Sequence, residues 1–216
     1  MIKAIVLDID GVVVGNQKGF NFPHPSKKVT DAIRKIHDKG IPISFLTGKT
    51  AFAAAENIKS VGIDNPHIAD GGAVIFNPIQ NKIINRITLQ PKDLLRLLDS
   101  LPENTYVNLF STGGYYLEKS LKNNYTEVYG KFIGRPPVLV EGLRRIVNNE
   151  AISKINISAF NDKEKEQISS ALKNLGDQFN CSWSSGPNTG TTQTLVVTAK
   201  GVSKRSGVKY LAKYLG

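Results

Sequence analysis

The sequence holds one cysteine, Cys181, in 216 residues, so it can form no internal disulfide and fits a reducing cytosol. In that compartment the Asn-x-Ser/Thr triplets at Asn124, Asn156 and Asn180 carry no glycosylation meaning. No apolar run approaches the roughly 18 residues of a membrane span, and no signal-peptide pattern opens the chain. The expectation is a cytoplasmic protein without a membrane segment. Acid is scarce as well: 18 Asp and Glu face 28 Lys and Arg, for a net charge of +10. Residues 200–216 contain no acid at all. Such a balance suits anionic ligands or nucleic acid. The basic residues are scattered, however, without an arginine-rich tract or an aromatic-interleaved basic motif, so they make a poor nucleic-acid signature. No internal repeat or low-complexity segment is present, and the length suffices for a substantial core.

What the chain does have stands near its start, in Ala4-Ile5-Val6-Leu7-Asp8-Ile9-Asp10-Gly11-Val12-Val13. A continuous apolar run that meets a turn signal reads as a strand buried on both faces, as in parallel α/β sheets. Asp8 and Asp10 then share a face if the strand continues, or both crown its C-terminal tip, where open α/β sheets place their ligands. Two carboxylates so close repel unless a cation joins them, and a hard oxygen-seeking ion, Mg²⁺ before others, resolves the repulsion. The plainer alternative is an acidic turn that merely stops the strand. An EF-hand loop is excluded, because Val12 and Gly19 would fall at ligand positions.

Downstream, residues 14–25 are polar and turn-rich, and Val29, Ala32, Ile33 and Ile36 recur at helical spacing before Gly40. A second strand, Ile41–Leu46, runs into Thr47-Gly48-Lys49-Thr50, an alanine-rich helix follows over 51–60, and Pro66–Asn77 gives a short third strand, a Gly71-Gly72 turn and another apolar run, Ala73–Phe76. This β-α-β-α-β order predicts a doubly wound, parallel, Rossmann-like sheet, in which the acids and Thr47 meet at one edge. Beyond Pro78 the rhythm changes. A leucine-faced helix begins at Pro91, and Tyr106–Leu109 and Gly114–Leu117 form a hairpin ahead of a tyrosine-rich, loop-rich middle. Ala151–Ala159 is a strand, Asn161 caps a helix with Glu164 in capping-box register, and a turn-rich segment, Ser184–Gly190, precedes a last strand, Thr194–Ala199. Residues 80–199 thus read as an α+β module inserted into a core made of 1–79 and 200–216. Ser203 opens a final helix, whose apolar face is Val208, Leu211, Ala212 and Leu215. Lys204 in its first turn opposes the helix dipole: it is either a solvated surface lysine or a partner for a phosphate at the helix N-terminus.

Taken in order, Asp8-Ile9-Asp10-Gly11-Val12-Val13, Phe45-Leu46-Thr47-Gly48 and Lys200-Gly201-Val202-Ser203-Lys204 resemble three motifs of the haloacid dehalogenase superfamily. The likeness is closest to Cof-type phosphatases with a large α+β (C2-type) cap. Ala69-Asp70-Gly71-Gly72-Ala73 is similar to the turn before that cap, with Gly71 where the family has asparagine; Val12 and Lys49 stand where threonine and arginine are commoner. The resemblance implies phosphate-ester hydrolysis through an aspartyl-phosphate. Asp8 would be the nucleophile and Asp10 the general acid and base. Gly11, Thr47, Gly48 and Lys204 would hold the phosphate, with Mg²⁺ on the Asp8 carboxylate and the Asp10 carbonyl. It also implies a small phosphorylated metabolite as substrate, with cap tyrosines and basic side chains as candidate contacts. The family's acidic fourth motif follows the lysine-bearing helix, and no acid follows Lys204 here. The expectation is therefore a core incomplete at its C-terminus, with strands missing beside the first one: either a second copy or a complementing chain supplies the rest, or the sequence is an incomplete reading frame. A catalytically weak module that binds phosphorylated ligands is the alternative. The long insertion argues against a receiver-like phosphorylated domain.

Overall fold

A computed structural model describes residues 2–15, 17, 21–185 and 192–216. Most of the turn-rich segment anticipated at 184–190, and part of that at 14–25, lie outside the described residues. The chain divides into two compact units: Met1–Arg86 with Val202–Gly216, and Ile87–Gly201.

The first unit starts with strand β1 (Ile5–Asp8) and helix α1 (Lys27–His37), which opens where the Ser26 hydroxyl accepts the Val29 N–H. Strand β2 (Ile43–Leu46), helix α2 (Ala51–Val61) and strand β3 (His67–Ala69) follow. A 3₁₀ turn (Asp70–Gly72) then leads to β4 (Val74–Asn77) and β5 (Lys82–Arg86). The strands lie in the order β1-β2-β3-β4-β5. β1, β2 and β3 are parallel, as the alternation of strands and helices requires, and β4 and β5 are added antiparallel. Residues 82–86, grouped by their loose alternation with the inserted module, pair here with β4. β1 pairs with β2 alone among the described strands, and all four of its residues are half-buried. The strand expected to be buried on both faces is an edge strand, because no neighbour shields its outer side. In α1 the buried positions are Thr30 and Ile33, while Ala32 and Ile36 are exposed, so the apolar stripe is narrower than its spacing suggested.

His67 is fully buried in β3, stacked on Phe45, with Nδ1 accepting the Phe45 N–H at 3.0 Å. Burial drives its pKa down to about 3, so the ring is neutral.

The second unit runs α3 (Pro91–Ser100), β6 (Tyr106–Phe110), β7 (Tyr115–Glu118), α4 (Asn124–Ile133) and β8 (Val138–Val140). It continues with α5 (Leu143–Asn149), β9 (Lys154–Ala159), α6 (Asp162–Lys173), β10 (Phe179–Ser185) and β11 (Gln193–Ala199). Its six-stranded sheet has the order β10-β11-β9-β6-β7-β8. Leu94 and Leu97 of α3, Leu143 and Val147 of α5 and Ile168 of α6 share a core with Val107, Leu109, Ile155 and Ile157 of the sheet. Asn161 caps α6, its Oδ1 accepting the Glu164 N–H at 2.9 Å, but the capping box is not closed, because Glu164 Oε2 accepts the Phe160 N–H at 2.8 Å and not that of Asn161.

The tyrosine-rich middle is not a loop. Asn123 caps α4, whose Tyr125, Tyr129 and Ile133 recur every fourth residue and are buried. Tyr125 and Tyr129 meet Tyr106 and Tyr115 of the sheet edge-on. Those four tyrosines are core side chains of this unit, and burial pushes the Tyr106 pKa up to about 12. They are therefore not surface contacts for a ligand.

The chain re-enters the first unit with α7 (Lys204–Leu215), capped by Ser203, whose hydroxyl accepts the Ser206 N–H at 3.1 Å. Val208, Leu211 and Leu215 pack with Ile68 and Ile75, whereas Ala212 is exposed. α7 seats closely because two glycines face each other. A Cβ on Gly207 would lie 2.8 Å from Ile68 Cγ2 and 3.0 Å from Gly72 Cα, and one on Gly72 would lie 2.1 Å from the Ser203 carbonyl oxygen. No helix among the described residues is long and apolar enough to cross a membrane.

Candidate active site

β1 and β2 run parallel with Asp8 opposite Leu46, so Asp8 and Thr47 leave the sheet at the same edge. Past Asp8 the chain turns tightly. The Ile9 carbonyl accepts the N–H groups of Val13 at 3.0 Å and Val14 at 2.8 Å, and the Gly11 N–H donates to the Val14 carbonyl at 2.7 Å. Gly11 sits at positive φ, 78°, which this turn requires.

The loop between β2 and α2 is fastened from two sides. Thr47 is buried, its Oγ1 accepts the Lys49 N–H at 3.0 Å, and its carbonyl accepts the Gly71 N–H at 3.0 Å. The Lys49 carbonyl accepts the Asp70 N–H at 2.8 Å. Gly48 lies between these anchors, and the 3₁₀ turn that holds them is the same turn on which α7 packs. Thr50 precedes α2 as its N-cap residue, buried, with a hydroxyl that has no hydrogen-bond partner among the described residues.

Two lysines converge on the two acids. The Lys204 ammonium contacts Asp8 across 196 positions of sequence. The Lys49 ammonium lies 2.7 Å from Asp10 Oδ1, with its side chain 25% exposed and that of Asp10 55%. Neither α2 nor α7 has an acid in its first turn, so both helix N-termini keep their partial positive charge. Asp8, Asp10, Thr47 and Lys204 thus come together, along one edge of one unit. Sequence reasoning noted Lys49 only as a departure from a family pattern; its approach to Asp10 depends on β1 and β2 being neighbours.

Mg²⁺ binds proteins through one or two carboxylates, with water and substrate phosphate completing an octahedron. The accessible Asp8 carboxylate fits that requirement, with the Asp10 backbone carbonyl as the second expected protein ligand and the Asp10 carboxyl left free for proton transfer, and no group of three or more His, Cys, Asp or Glu poised to hold a metal occurs among the described residues.

Comparison with known proteins identifies the family. The family model for haloacid dehalogenase-like hydrolases matches residues 5–216. Mannosyl-3-phosphoglycerate phosphatase of Pyrococcus horikoshii is 28% identical over 152 residues, covering 65% of this chain and 55% of that protein. The chain thus spans little more than half the length of this curated relative. Among solved structures, a phosphatase of the same superfamily from Bacteroides thetaiotaomicron superposes with a TM-score of 0.76 at 23% identity, over 99% of this chain and 73% of that one. A protein of Thermotoga maritima gives a TM-score of 0.80 at 18% identity, over 100% and 76%. With its acids at the end of the first strand, and a family match that covers nearly its whole length, the chain belongs to the haloacid dehalogenase-like hydrolases.

Proposed function

We propose that this chain carries the phosphoryl-transfer site of a cytoplasmic phosphatase acting on small phosphorylated metabolites, sugar phosphates or phosphorylated sugar acids. The contact between Lys204 and Asp8 is the observation that carries the reading, because it sets a cation beside a carboxylate nucleophile at the tip of a sheet. An Asp8 oxygen attacks phosphorus in line, the P–O bond to the alcohol breaks, and Asp10 protonates the departing oxygen. Asp10 then takes a proton from water, whose oxygen attacks the aspartyl-phosphate and releases inorganic phosphate and free Asp8. Lys204 and the Thr47 hydroxyl hold the phosphoryl oxygens throughout, since phosphoryl transfer depends mainly on positioning and charge. Mg²⁺, held by Asp8 and Asp10, would add charge neutralisation at those oxygens. The substrate class is supported by the likeness to the Pyrococcus mannosyl-3-phosphoglycerate phosphatase.

The test is hydrolysis of an aryl phosphate with and without Mg²⁺, beside Asp8→Asn. Turnover that needs both Asp8 and Mg²⁺ is expected. Turnover that survives Asp8→Asn refutes the covalent mechanism, and phosphate binding without any turnover would make the chain a binding module.

A further inference from the structure

We propose that Lys49 is a second phosphate-binding cation of this site, held on Asp10 in the free chain and transferred to the phosphoryl oxygens when a monoester enters. The proposal rests on the phosphatase reading above and assigns a residue that reading leaves unused.

The charges set the problem. Asp8 and Asp10 are each matched by one ammonium, from Lys204 and Lys49, so the free site is balanced. An incoming phosphate monoester brings up to two further negative charges to an edge that already holds two carboxylates. In the metal-free chain, Lys204 alone cannot serve Asp8 and the phosphoryl group equally. Among the described residues Lys49 is the other ammonium paired with an acid at this edge, and it stands on the loop that also presents Thr47.

Its backbone is fixed at both ends, the N–H on Thr47 Oγ1 and the carbonyl on the Asp70 N–H, so the movement required is one of side-chain rotation. A lysine suits such a transfer, being a compact charge with rotatable donors on a flexible stem. The bond to be exchanged is weak, because an ion pair with a half-exposed carboxylate contributes little to stability. The destination is favourable. The α2 N-terminus next to Lys49 has no acid in its first turn, and the buried Thr50 hydroxyl beside it lacks a partner among the described residues. Moving the ammonium also frees Asp10 Oδ1 to turn toward the leaving-group oxygen. Lys49 therefore couples anion binding to release of the acid that follows it in the reaction.

Inorganic phosphate is the probe, titrated by calorimetry into the full chain and into Lys49→Met, Lys49→Arg, Asp10→Asn and the Lys49→Met/Asp10→Asn pair, with thermal melts confirming that each is folded. Lys49→Met should weaken phosphate binding about tenfold, and Lys49→Arg should retain most of it. Asp10→Asn should tighten binding by releasing Lys49, and that gain should vanish when residue 49 is methionine. A change of less than twofold in Lys49→Met overturns the proposal, as does an Asp10→Asn gain that persists in the double variant. Because the coupling is read from binding, it is independent of turnover. Lost turnover with intact coupling counts against the phosphatase reading, and intact turnover without coupling counts against this one.

Discussion

Gly207→Ala tests whether the close seating of α7 positions Lys204. The new Cβ would meet Ile68 Cγ2 at 2.8 Å and Gly72 Cα at 3.0 Å. Carbon atoms settle at about 3.5–4.0 Å, so α7 must withdraw by roughly 1 Å or Ile68 must move. Ile68 is fully buried and β-branched, hence stiff, and the Gly72 contact is backbone, so withdrawal is the easier path. Alanine gains about 1 kcal/mol of helix propensity over glycine, against about 1–3 kcal/mol for overpacking. The net loss of stability is therefore small, about 0–2 kcal/mol. Catalysis should suffer far more, because Lys204 begins the same helix, and a displacement of about 1 Å costs on the order of 100-fold in rate. Denaturant unfolding and aryl phosphate turnover, measured together, give the two quantities, with exposed Lys209→Ala as a control on the same helix. A Gly207→Ala chain as active as its parent and at least as stable would refute the reasoning.

Two further expectations concern stability. His67 is neutral in the fold, with a pKa of about 3 against 6.5 for the free side chain, so below pH 6.5 the unfolded chain binds a proton that the folded chain refuses. Stability should accordingly fall as pH drops from about 6.5 toward 3, by about 1.4 kcal/mol per unit beyond the background slope. His67→Asn should remove that excess slope in pH-dependent unfolding, and an unchanged slope would mean that His67 does not titrate as described. At the other unit's cap, Asn161→Ala should destabilise the chain by about 1 kcal/mol, read as a lower urea midpoint with unchanged m-value.

The parts of the fold that were legible are those written in short-range pattern. The strand ending in Asp8, α2 with its stop at Gly62, the β6–β7 hairpin and the Asn161 and Ser203 caps each depend on residues within a few positions of one another. α4 escaped the same reading because glycine, threonine and aromatic residues form helices only moderately well, and its three buried positions became a stripe only once a sheet face was present to cover. β10 was missed because its residues are polar or exposed and show no clear alternation.

By itself, then, the sequence determined those strands and helices whose periodicity and caps are local, and that two acids end the first strand, since such signals require no knowledge of distant residues. Only the tertiary structure decided which lysine meets which acid. Lys204 reaches Asp8 across 196 positions and Lys49 reaches Asp10 across 39, distances over which no periodicity carries information. Those pairings follow from the parallel placement of β1 beside β2 and from the depth at which Gly72 and Gly207 let α7 settle. Burial was decided at the same level. β1 has the composition of a central strand, yet its exposure is set by the number of strands beside it, a property of the sheet and not of the four residues.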